Sequence, residues 1–373
     1  MSIEEITVAE ARARQQAGAI LIDVREPDEH ALGVPVSALC VPRAKLEANA
    51  YAVVADPAAD ILLICGSGKR SMLAAQNLAA QGYTRLCSVA GGYQQWQRAG
   101  LPVETTQDAD YLERYSRHLR LPQVGMEGQE KLARARVLVV GAGGLGSPAA
   151  FYLAAAGVGF LRLVDDDVVD RSNLQRQILH TDDRIGMAKV ESAAQSLRAL
   201  NPTIAVETVQ ARVSADNVET LLQDVDVVLD GADNFPTRYL LSDACVRLGK
   251  PLVYGAVHRF EGQVSVFDAG RRRGLAPCYR CLFPQPPSAA DAPNCAEAGV
   301  LGVLPGLIGL LQATETLKLL IGIGEPLTGR LLQFDALGLR FRETGLRPDP
   351  DCAICAPGAA FIGYPALQAL CSG

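Results

Sequence analysis

The hydrophobic and polar positions of this chain divide it into two blocks, in each of which short apolar runs alternate with longer amphipathic segments. In the first block, the runs "AILIDV", "ILLI" and "RLCSVA" predict strands, and the segments "SMLAAQNLAAQ" and "YQQWQRAG" predict helices. The block ends near Glu104, and the polar stretch "TTQDAD" at 105–110 is typical of a linker. We therefore predict a first α/β domain over residues 1–104.

The second block begins near Tyr111 with the charged helical segment "YLERYSRHLRL", followed by the apolar run "RVLVV", which predicts a buried strand. Strands and helices then alternate through "RYLLSDACVRLG", and this order favours a mostly parallel sheet. The later runs "GQVSVF" and "GRLLQFDALGLRFRE" indicate antiparallel strands. We predict a second α/β domain with a mixed sheet over 111–357, and we assign no role to the tail at 358–373.

Composition and charge limit the kinds of protein to consider. The chain has 373 residues and a net charge of -6, which argues against a nucleic-acid binder. Its N-terminus is charged, and its longest apolar stretch, Val300–Leu311, is too short to span a bilayer. We expect a cytoplasmic protein with neither a membrane nor a nucleic acid as partner. In that compartment the ten cysteines indicate metal binding or catalysis and not disulfides.

The stretch "LLICGSGKRS" ends a buried apolar run at Cys65 and continues into a helical segment. A phosphate-binding P-loop is excluded, because Leu63 stands where it needs its first glycine and Arg70 follows the lysine. Small residues after Cys65 let several backbone N–H groups converge on the sulfur, and the helix start with Lys69 and Arg70 adds positive charge. These features favour a thiolate or persulfide, so Cys65 is the predicted nucleophile. The alternative is an inert buried cysteine.

Three segments of the first block match a known family: "LIDVRE" at Leu21–Glu26, "CGSGKRS" at Cys65–Ser71 and "VAGGYQQWQRAGLPV" at Val89–Val103. Over about residues 1–104 the chain resembles the single-domain rhodanese family of sulfurtransferases. It departs from the family at Gly33–Ala38, where "GVPVSA" replaces the usual Gly-His-Ile-Pro-Gly-Ala. The resemblance implies a rhodanese-like α/β domain in which Cys65 is catalytic.

The second block opens with a nucleotide-binding pattern. The run "RVLVVGAGGLGSPAAFYLAAAGVGFLRLVDDD" predicts a strand, a glycine-rich turn, a helix and a second strand that ends in acidic residues. Gly141, Gly143 and Gly146 form the turn, and Asp165 lies at the distance expected of a residue that binds ribose hydroxyls. The pattern predicts a Rossmann-like fold, but taken alone it does not separate NAD from ATP.

Charged residues after this pattern favour ATP. Arg171 and Arg176 lie in "DRSNLQRQILH", Lys189 lies in "GMAKVESA", and Asp233 and Asn234 follow a predicted strand in "DGADN". Arginine forks and a lysine suit a triphosphate, and Asp233 is placed to hold a magnesium ion. The alternative for each charge is solvation of a helix face.

The second block also resembles the ubiquitin-activating superfamily, most closely the MoeB/ThiF branch of adenylyltransferases, over about 111–357. The shared segments include "RYSRHLRLPQVGMEGQEKL", "GAGGLGSPAA", "DDDVVDRSNLQRQ", "DGADNFPTRY" and "EGQVSVF". The resemblance implies adenylation, with ATP and magnesium, of the C-terminal Gly-Gly carboxylate of a small ubiquitin-like sulfur carrier. It implies nucleotide or phosphate contacts for Gly144, Asp165, Ser172, Asn173, Leu174, Gln175, Arg176 and Lys189, magnesium binding for Asp233 beside Asn234, and contact of Arg117 with phosphates in the other subunit of a homodimer.

The second block also contains two Cys-x-x-Cys pairs, Cys278 with Cys281 and Cys352 with Cys355. Four thiolates in this spacing suit tetrahedral zinc, and the resemblance carries a structural zinc as well. A redox pair is the alternative. Cys295, in "PNCAEAG", stands where the relatives often have a cysteine, and both a chemical role and an incidental loop thiol stay open.

Together these features predict a sulfur donor fused to a carboxylate activator, with Cys65, Arg176, Asp233, Arg117 and Cys295 as the catalytic set. A persulfide on Cys65 would attack the carrier's acyl adenylate, directly or through Cys295, and yield a thiocarboxylate for molybdenum cofactor biosynthesis. The same chemistry on a carrier for thiamine, cysteine or tRNA thiolation is an alternative. Two others are an NAD-dependent oxidoreductase fused to a sulfurtransferase and a non-catalytic zinc scaffold. Similar fusions usually carry the rhodanese domain last, whereas here it comes first.

Overall fold

The structure, a computed structural model, describes residues 3–105, 108–286 and 299–364. The chain forms two compact units, Met1–Glu127 and Gly128–Gly373. The domain limits predicted from the sequence stay predictions. Within the predicted linker, Asp108 accepts a hydrogen bond from the backbone N–H of Asp110 and caps a helix that begins at Ala109.

The described part of the first unit is built on a five-stranded parallel sheet in the order β1-β6-β5-β2-β4, with β3 and β7 as a separate antiparallel pair. Its strands are β1 (Glu4–Ile6), β2 (Ile20–Asp23), β3 (Val34–Pro35), β4 (Leu39–Cys40), β5 (Asp60–Ile64), β6 (Arg85–Val89) and β7 (Val103–Glu104). Its helices are α1 (Val8–Gln16), α2 (Pro27–Ala31), α3 (Arg43–Ala48), α4 (Ala50–Val53), α5 (Lys69–Ala80), α6 (Gly92–Arg98), α7 (Ala109–Arg114), α8 (Ser116–Leu119) and α9 (Gly125–Arg134), which contains the limit between the units.

The central strand of this sheet places the predicted sulfur loop. Ile61 to Ile64 of β5 are fully buried, because helices cover both faces of the sheet, and such a strand is apolar at every position. Cys65 follows directly at the carboxyl end of β5, the edge at which parallel α/β sheets bind ligands. The predicted strands and helices of the first block are confirmed.

The described part of the second unit is built on an eight-stranded mixed sheet, which confirms the predicted change from parallel to antiparallel pairing. Its order is β10-β9-β8-β11-β12-β13-β14-β15, parallel as far as β12 and antiparallel beyond it. The strands are β8 (Arg136–Val140), β9 (Phe160–Val164), β10 (Ala205–Val209), β11 (Val227–Asp230), β12 (Leu252–His258), β13 (Glu261–Phe267), β14 (Arg330–Asp335) and β15 (Arg340–Gly345). The helices are α10 (Gly146–Ala155), α11 (Lys189–Leu200), α12 (Val218–Leu222), α13 (Phe235–Leu248), α14 (Tyr279–Leu282) and α15 (Val303–Ile321), with 3-10 turns at Arg171–Asn173 and Asp182–Arg184.

The strand order places a crevice at one edge of this sheet. The chain leaves β8 for β9 on one side and returns to β11 on the other, so β8 lies at a topological switch point. The glycine-rich turn follows β8, Asp165 follows β9, and Asp233 follows β11. Because these strands are parallel, the three segments share the carboxyl edge of the sheet.

The apolar stretch Val300–Leu311 is too short to predict a membrane span, but helix α15, which begins within it, is longer than that stretch. By length and composition alone it is able to cross a membrane, with a mean hydropathy of 1.3. However, Gln312 in its middle is fully buried, and its Nε2 donates to the carbonyl oxygens of Asp230 at 2.7 Å and Val253 at 3.1 Å. A polar side chain bonded into two strands is typical of a core helix that packs on a sheet.

Candidate functional site

A cavity of about 510 Å³ lies at the carboxyl edge of the large sheet. This volume is in the usual range for small-molecule sites. Ser172, Asn173 and Leu174, three of the predicted nucleotide residues, do not line it. The predicted residues that line it are Gly141, Gly143, Gly144, Asp165, Gln175, Arg176, Lys189, Asp233 and Asn234.

The glycine-rich turn requires glycine at two positions. Gly141 has φ +88, and a Cβ added to it would lie 2.6 Å from the carbonyl oxygen of Gly231. A Cβ on Gly146 would overlap the carbonyl oxygen of Gly141. The chain therefore turns within a space that admits no side chain and starts α10 at Gly146, with its backbone N–H groups and positive end available to an anion.

His180 fixes this turn, although it is not among the predicted site residues. Its Nε2 lies 2.9 Å from the carbonyl oxygen of Ala142, and its Nδ1 lies 2.9 Å from Oγ of Ser192 in α11. Burial lowers the pKa of His180 below its ordinary value, so the ring is neutral near pH 7. The neutral ring donates from Nε2 to Ala142 and accepts from Ser192. No sequence pattern reveals the role, because these partners lie far apart in the chain.

Asp165 is held at the cavity by two backbone N–H groups. Its Oδ2 accepts from Ala142 at 2.7 Å, and its Oδ1 accepts from Asp167 at 2.9 Å. Burial raises the pKa of Asp165 above its ordinary value. A carboxylate oxygen has more than one lone pair, so this side chain retains capacity to accept from ribose hydroxyls.

Lys189 is paired with an acidic residue of the same cavity. Its Nζ lies 2.7 Å from Oδ2 of Asp167, and its side chain is only 7% exposed. Asp167 is a second site residue that is not among those predicted, although it stands in the same acidic triplet as Asp165. A phosphate that binds Lys189 must share it with this carboxylate.

Arg176 is held by residues predicted to contact the nucleotide themselves. Its Nη1 donates to the carbonyl oxygen of Ser172 at 3.2 Å, and its Nη2 donates to Oδ1 of Asn173 at 3.2 Å. The same Oδ1 accepts from Nε2 of Gln177 at 2.8 Å. In this structure Ser172 and Asn173 orient the guanidinium of Arg176, which itself lines the cavity.

Asp233 stands exposed at the cavity in the loop between β11 and α13. Asn234 beside it caps α13, because its Oδ1 accepts from the N–H of Thr237 at 3.0 Å. The Nδ2 of Asn234 lies 3.3 Å from Oδ1 of Asp233. An exposed carboxylate next to a phosphate-sized space fits Mg²⁺, which is usually bound by one or two carboxylates together with substrate phosphates.

The predicted sulfur site lies in the first unit. Cys65 is buried, and its Sγ accepts from the backbone N–H of Gly68 at 3.2 Å and lies 3.4 Å from Oγ of Ser71. Burial raises the pKa of Cys65, but hydrogen bonds from the Ser71 hydroxyl and from the N–H groups of Ser71, Ser67 and Gly68 outweigh burial. The pKa therefore lies below its ordinary value, which favours the nucleophilic thiolate.

A second glycine turn, at the start of α6, supports the Cys65 loop from a separate segment of the chain. The N–H of Tyr93 donates to the carbonyl oxygen of Cys65 at 2.7 Å, and the N–H of Gln94 donates to that of Gly66 at 3.2 Å. Gly92 has φ +57, and a Cβ on it would overlap the Cys65 carbonyl oxygen. The start of α6 thus binds the carbonyl groups of the Cys65 loop, and the N–H groups of the loop itself face the sulfur.

The four cysteines of the two Cys-x-x-Cys pairs come together in the second unit. Their sulfur atoms all lie within 4.8 Å of one another, and three contacts measure 3.4, 3.6 and 3.8 Å. Tetrahedral zinc with Zn–S bonds of about 2.3 Å places sulfur atoms about 3.8 Å apart, so the cluster fits this ion. Cys295, like the rest of residues 287–298, lies outside the described residues. Arg117 lies in α8 of the first unit.

Comparison with known proteins finds a family match for each of the two blocks. A model of the ThiF family matches residues 115–354, and a model of the rhodanese-like domain matches residues 7–99. The chain is 55% identical to the SAMP-activating enzyme E1 of Haloferax volcanii, over 67% of this chain and 91% of that protein. It is 53% identical to the sulfur carrier protein adenylyltransferase of Thermus thermophilus, over 65% of this chain and 90% of that protein.

A longer relative is similar over more of the chain. Adenylyltransferase and sulfurtransferase MOCS3 of Sus scrofa is 50% identical over 78% of this chain, which covers 61% of that protein. Among solved structures, E. coli MccB with ATP has a TM-score of 0.56 at 21% identity, over 67% of this chain and 75% of that chain. At that identity the likeness concerns the fold alone.

Proposed function

This chain belongs to the ThiF family through residues 115–354 and carries a rhodanese-like domain ahead of it, and on that basis we propose that it adenylates a small sulfur-carrier protein and transfers sulfur to it. The observation that carries the proposal is one cavity in which the glycine turn, the cations Arg176 and Lys189 and the exposed carboxylate of Asp233 meet. The substrate is the C-terminal Gly-Gly carboxylate of a ubiquitin-like carrier. Activation of this carboxylate consumes ATP and uses Mg²⁺.

In the first step the carrier carboxylate attacks the α-phosphate of ATP, and pyrophosphate leaves. The nucleophile is already ionised, so positioning and charge neutralisation supply most of the rate enhancement. Arg176 and Lys189 bind phosphate oxygens, Asp165 binds the ribose, and Gly141, Gly143 and Gly144 line the cavity beside the nucleotide. Asp233 would hold magnesium, which when bound would supply positive charge to stabilise the pyrophosphate leaving group.

In the second step a persulfide on Cys65 attacks the carbonyl carbon of the acyl adenylate. The carbon–oxygen bond to AMP breaks, AMP leaves with the electron pair, and the carrier is joined to Cys65 through an acyl disulfide. Attack of a thiolate on Sγ of Cys65 then releases the carrier thiocarboxylate and leaves a disulfide. We propose Cys295 as one source of that thiolate.

We further propose that the carrier is the small subunit of molybdopterin synthase, that the enzyme is a cytoplasmic homodimer in which Arg117 reaches the partner's phosphates, and that the four-cysteine cluster holds a structural zinc. The relatives named above support a sulfur carrier in general. Carriers for thiamine, cysteine or tRNA thiolation remain the alternative substrates.

Exchange of labelled pyrophosphate into ATP tests the first step. We expect exchange that depends on magnesium and on a carrier ending in Gly-Gly, and a panel of carriers identifies the cognate one. Mass spectrometry of the carrier after addition of a sulfur donor should show replacement of one oxygen by sulfur. NADH turnover without exchange would instead support the oxidoreductase.

Two variants separate the two sites. Cys65→Ala should abolish sulfur transfer from thiosulfate and keep exchange, whereas Asp233→Ala should abolish exchange and keep transfer. Loss of both activities in either variant would contradict the division into two sites.

A further inference from the structure

An ion pair lies at the sulfur loop. Arg70, the second residue of α5, forms a forked pair with Glu29 of α2: Nη2 lies 2.7 Å from Oε1, and Nη1 lies 2.5 Å from Oε2. The two side chains are 36% and 30% exposed. Glu29 is further fixed because its Oε2 accepts from the N–H of Glu26 at 3.1 Å. The sequence predicts that Arg70 adds positive charge near Cys65, and the structure shows this charge paired with Glu29.

Both members of this pair lie next to the loop that surrounds Cys65. A Cβ built on Gly66 would be 3.2 Å from Nη2 of Arg70 and 3.6 Å from Oε1 of Glu29. The pKa of Arg70 is raised, mainly by the hydrogen bond to Glu29, and the negative charge of Cys65 contributes as well. A sulfur donor that approaches Cys65 therefore meets a cation and a carboxylate together.

We propose that Glu29 determines the charge selectivity of the sulfur site: by pairing with Arg70 it disfavours dianionic sulfur donors relative to monoanionic ones. The inference rests on the proposed role of Cys65. Coulomb energy is proportional to the charge of the donor, so the Glu29 carboxylate repels a dianion twice as strongly as a monoanion at the same position. Because the pair is partly exposed, the effect is of the size seen for surface ion pairs.

Two small donors isolate this charge effect because they undergo the same reaction. The Cys65 thiolate attacks the outer sulfur of thiosulfate, the S–S bond breaks, and sulfite leaves with the electron pair. With methanethiosulfonate the same attack releases methanesulfinate. Each reaction leaves a persulfide anion on Cys65, and cyanide then removes the outer sulfur as thiocyanate and restores the thiolate. Thiosulfate is a dianion and methanethiosulfonate a monoanion at pH 8.

The test compares kcat/KM for the two donors in full-length protein. Glu29→Gln keeps the side-chain length and an oxygen for the N–H of Glu26, but it removes the negative charge. We expect the ratio of kcat/KM for thiosulfate to that for methanethiosulfonate to rise about three- to fivefold, and the rise should shrink at high salt. Asp28→Asn, on the same helix and outside the ion pair, is the matched control and should leave the ratio unchanged.

A second variant tests the proposal independently, in case Glu29→Gln does not fold. Arg70→Gln leaves the Glu29 carboxylate without its cation, so the same ratio should fall. If Glu29→Gln changes both donors equally, or changes the ratio no more than Asp28→Asn does, the charge-selectivity proposal is overturned. If Cys65→Ala still transfers sulfur from both donors, the proposed role of Cys65 fails instead.

Discussion

Asp230 and Arg238 hold Ala232, in the loop between β11 and α13, from both sides. Oδ1 of Asp230 accepts from the N–H of Ala232 at 3.0 Å, and Nη2 of Arg238 donates to the carbonyl oxygen of Ala232 at 2.9 Å. Asp230 is fully buried, and its Oδ2 lies 3.9 Å from Nε of Arg238. Because Ala232 directly precedes Asp233, the buried pair fixes the carboxylate proposed to hold magnesium.

Asp230→Asn should make stability less dependent on pH. Burial raises the pKa of Asp230 from 3.8 to about 6, so ionisation is disfavoured in the folded protein and stability falls as pH rises from about 4 to 6. The variant lacks this carboxyl group but keeps an oxygen for Ala232. Urea unfolding gives the free energy of unfolding of both proteins at pH 5 and pH 7. From pH 5 to pH 7, the free energy of unfolding of the variant should rise by about 1 kcal/mol relative to that of the unmodified protein. An unchanged difference between the two proteins would contradict the raised pKa.

Asn173→Ala should weaken the binding of ATP. The substitution removes the oxygen that accepts from Nη2 of Arg176, and loss of one hydrogen bond to a charged group corresponds to about a tenfold effect. We expect the KM for ATP in pyrophosphate exchange to rise by about that factor, with the fold intact by circular dichroism. Asn77→Ala, at an exposed position of α5, is the control. An unchanged KM would show that Arg176 does not depend on Asn173.

Ser71→Ala should raise the pKa of Cys65. The Ser71 hydroxyl lies 3.4 Å from Sγ and 3.0 Å from the Gly68 carbonyl oxygen, and its one proton is drawn to the sulfur when the sulfur is ionised. Loss of that hydrogen bond should move the pH profile of iodoacetamide alkylation upward by about one unit. Alkylation of Cys65 followed by peptide mass spectrometry gives the profile, and an unshifted midpoint would assign the low pKa to the backbone N–H groups alone.

Cys352→Ser should release the metal from the four-cysteine cluster. The site needs four thiolates to complete a tetrahedron, and a structural zinc stabilises the folded state directly. We expect about one zinc per chain in the unmodified protein by elemental analysis, with loss of zinc and a lower Tm in the variant. Cys40→Ser, an exposed cysteine of the first unit, is the control. Equal zinc content in both variants would contradict the proposed centre.

Much of the candidate site was predictable because parallel strands share an edge. Once β8, β9 and β11 are recognised as parallel, the glycine turn, Asp165 and Asp233 must meet at their carboxyl ends, and they do. The sulfur loop was predictable for a similar reason, since one strand end and one helix start enclose Cys65.

The partners of the charged residues were not predictable. Glu29 is 41 positions from Arg70, and nothing in either local pattern shows that they pair. Three consecutive acids follow β9, and sequence spacing does not show that Asp167 is the one that pairs with Lys189. For the same reason the hydrogen bond that Asn173 accepts from Arg176 was not predictable, and the nucleotide contact of Asn173 stays a prediction.

The Gly92 contact with the Cys65 carbonyl has a consequence for protein engineering. If residues 65–71 alone were grafted onto another strand–helix junction, the graft would contain the cysteine. It would lack the start of α6, whose N–H groups bind the carbonyl groups of the loop. A functional transplant must include the second glycine turn as a separate insert, placed in register with the first. The proposed sulfur site is therefore discontinuous, and its smallest transferable form is two peptides held by a common scaffold.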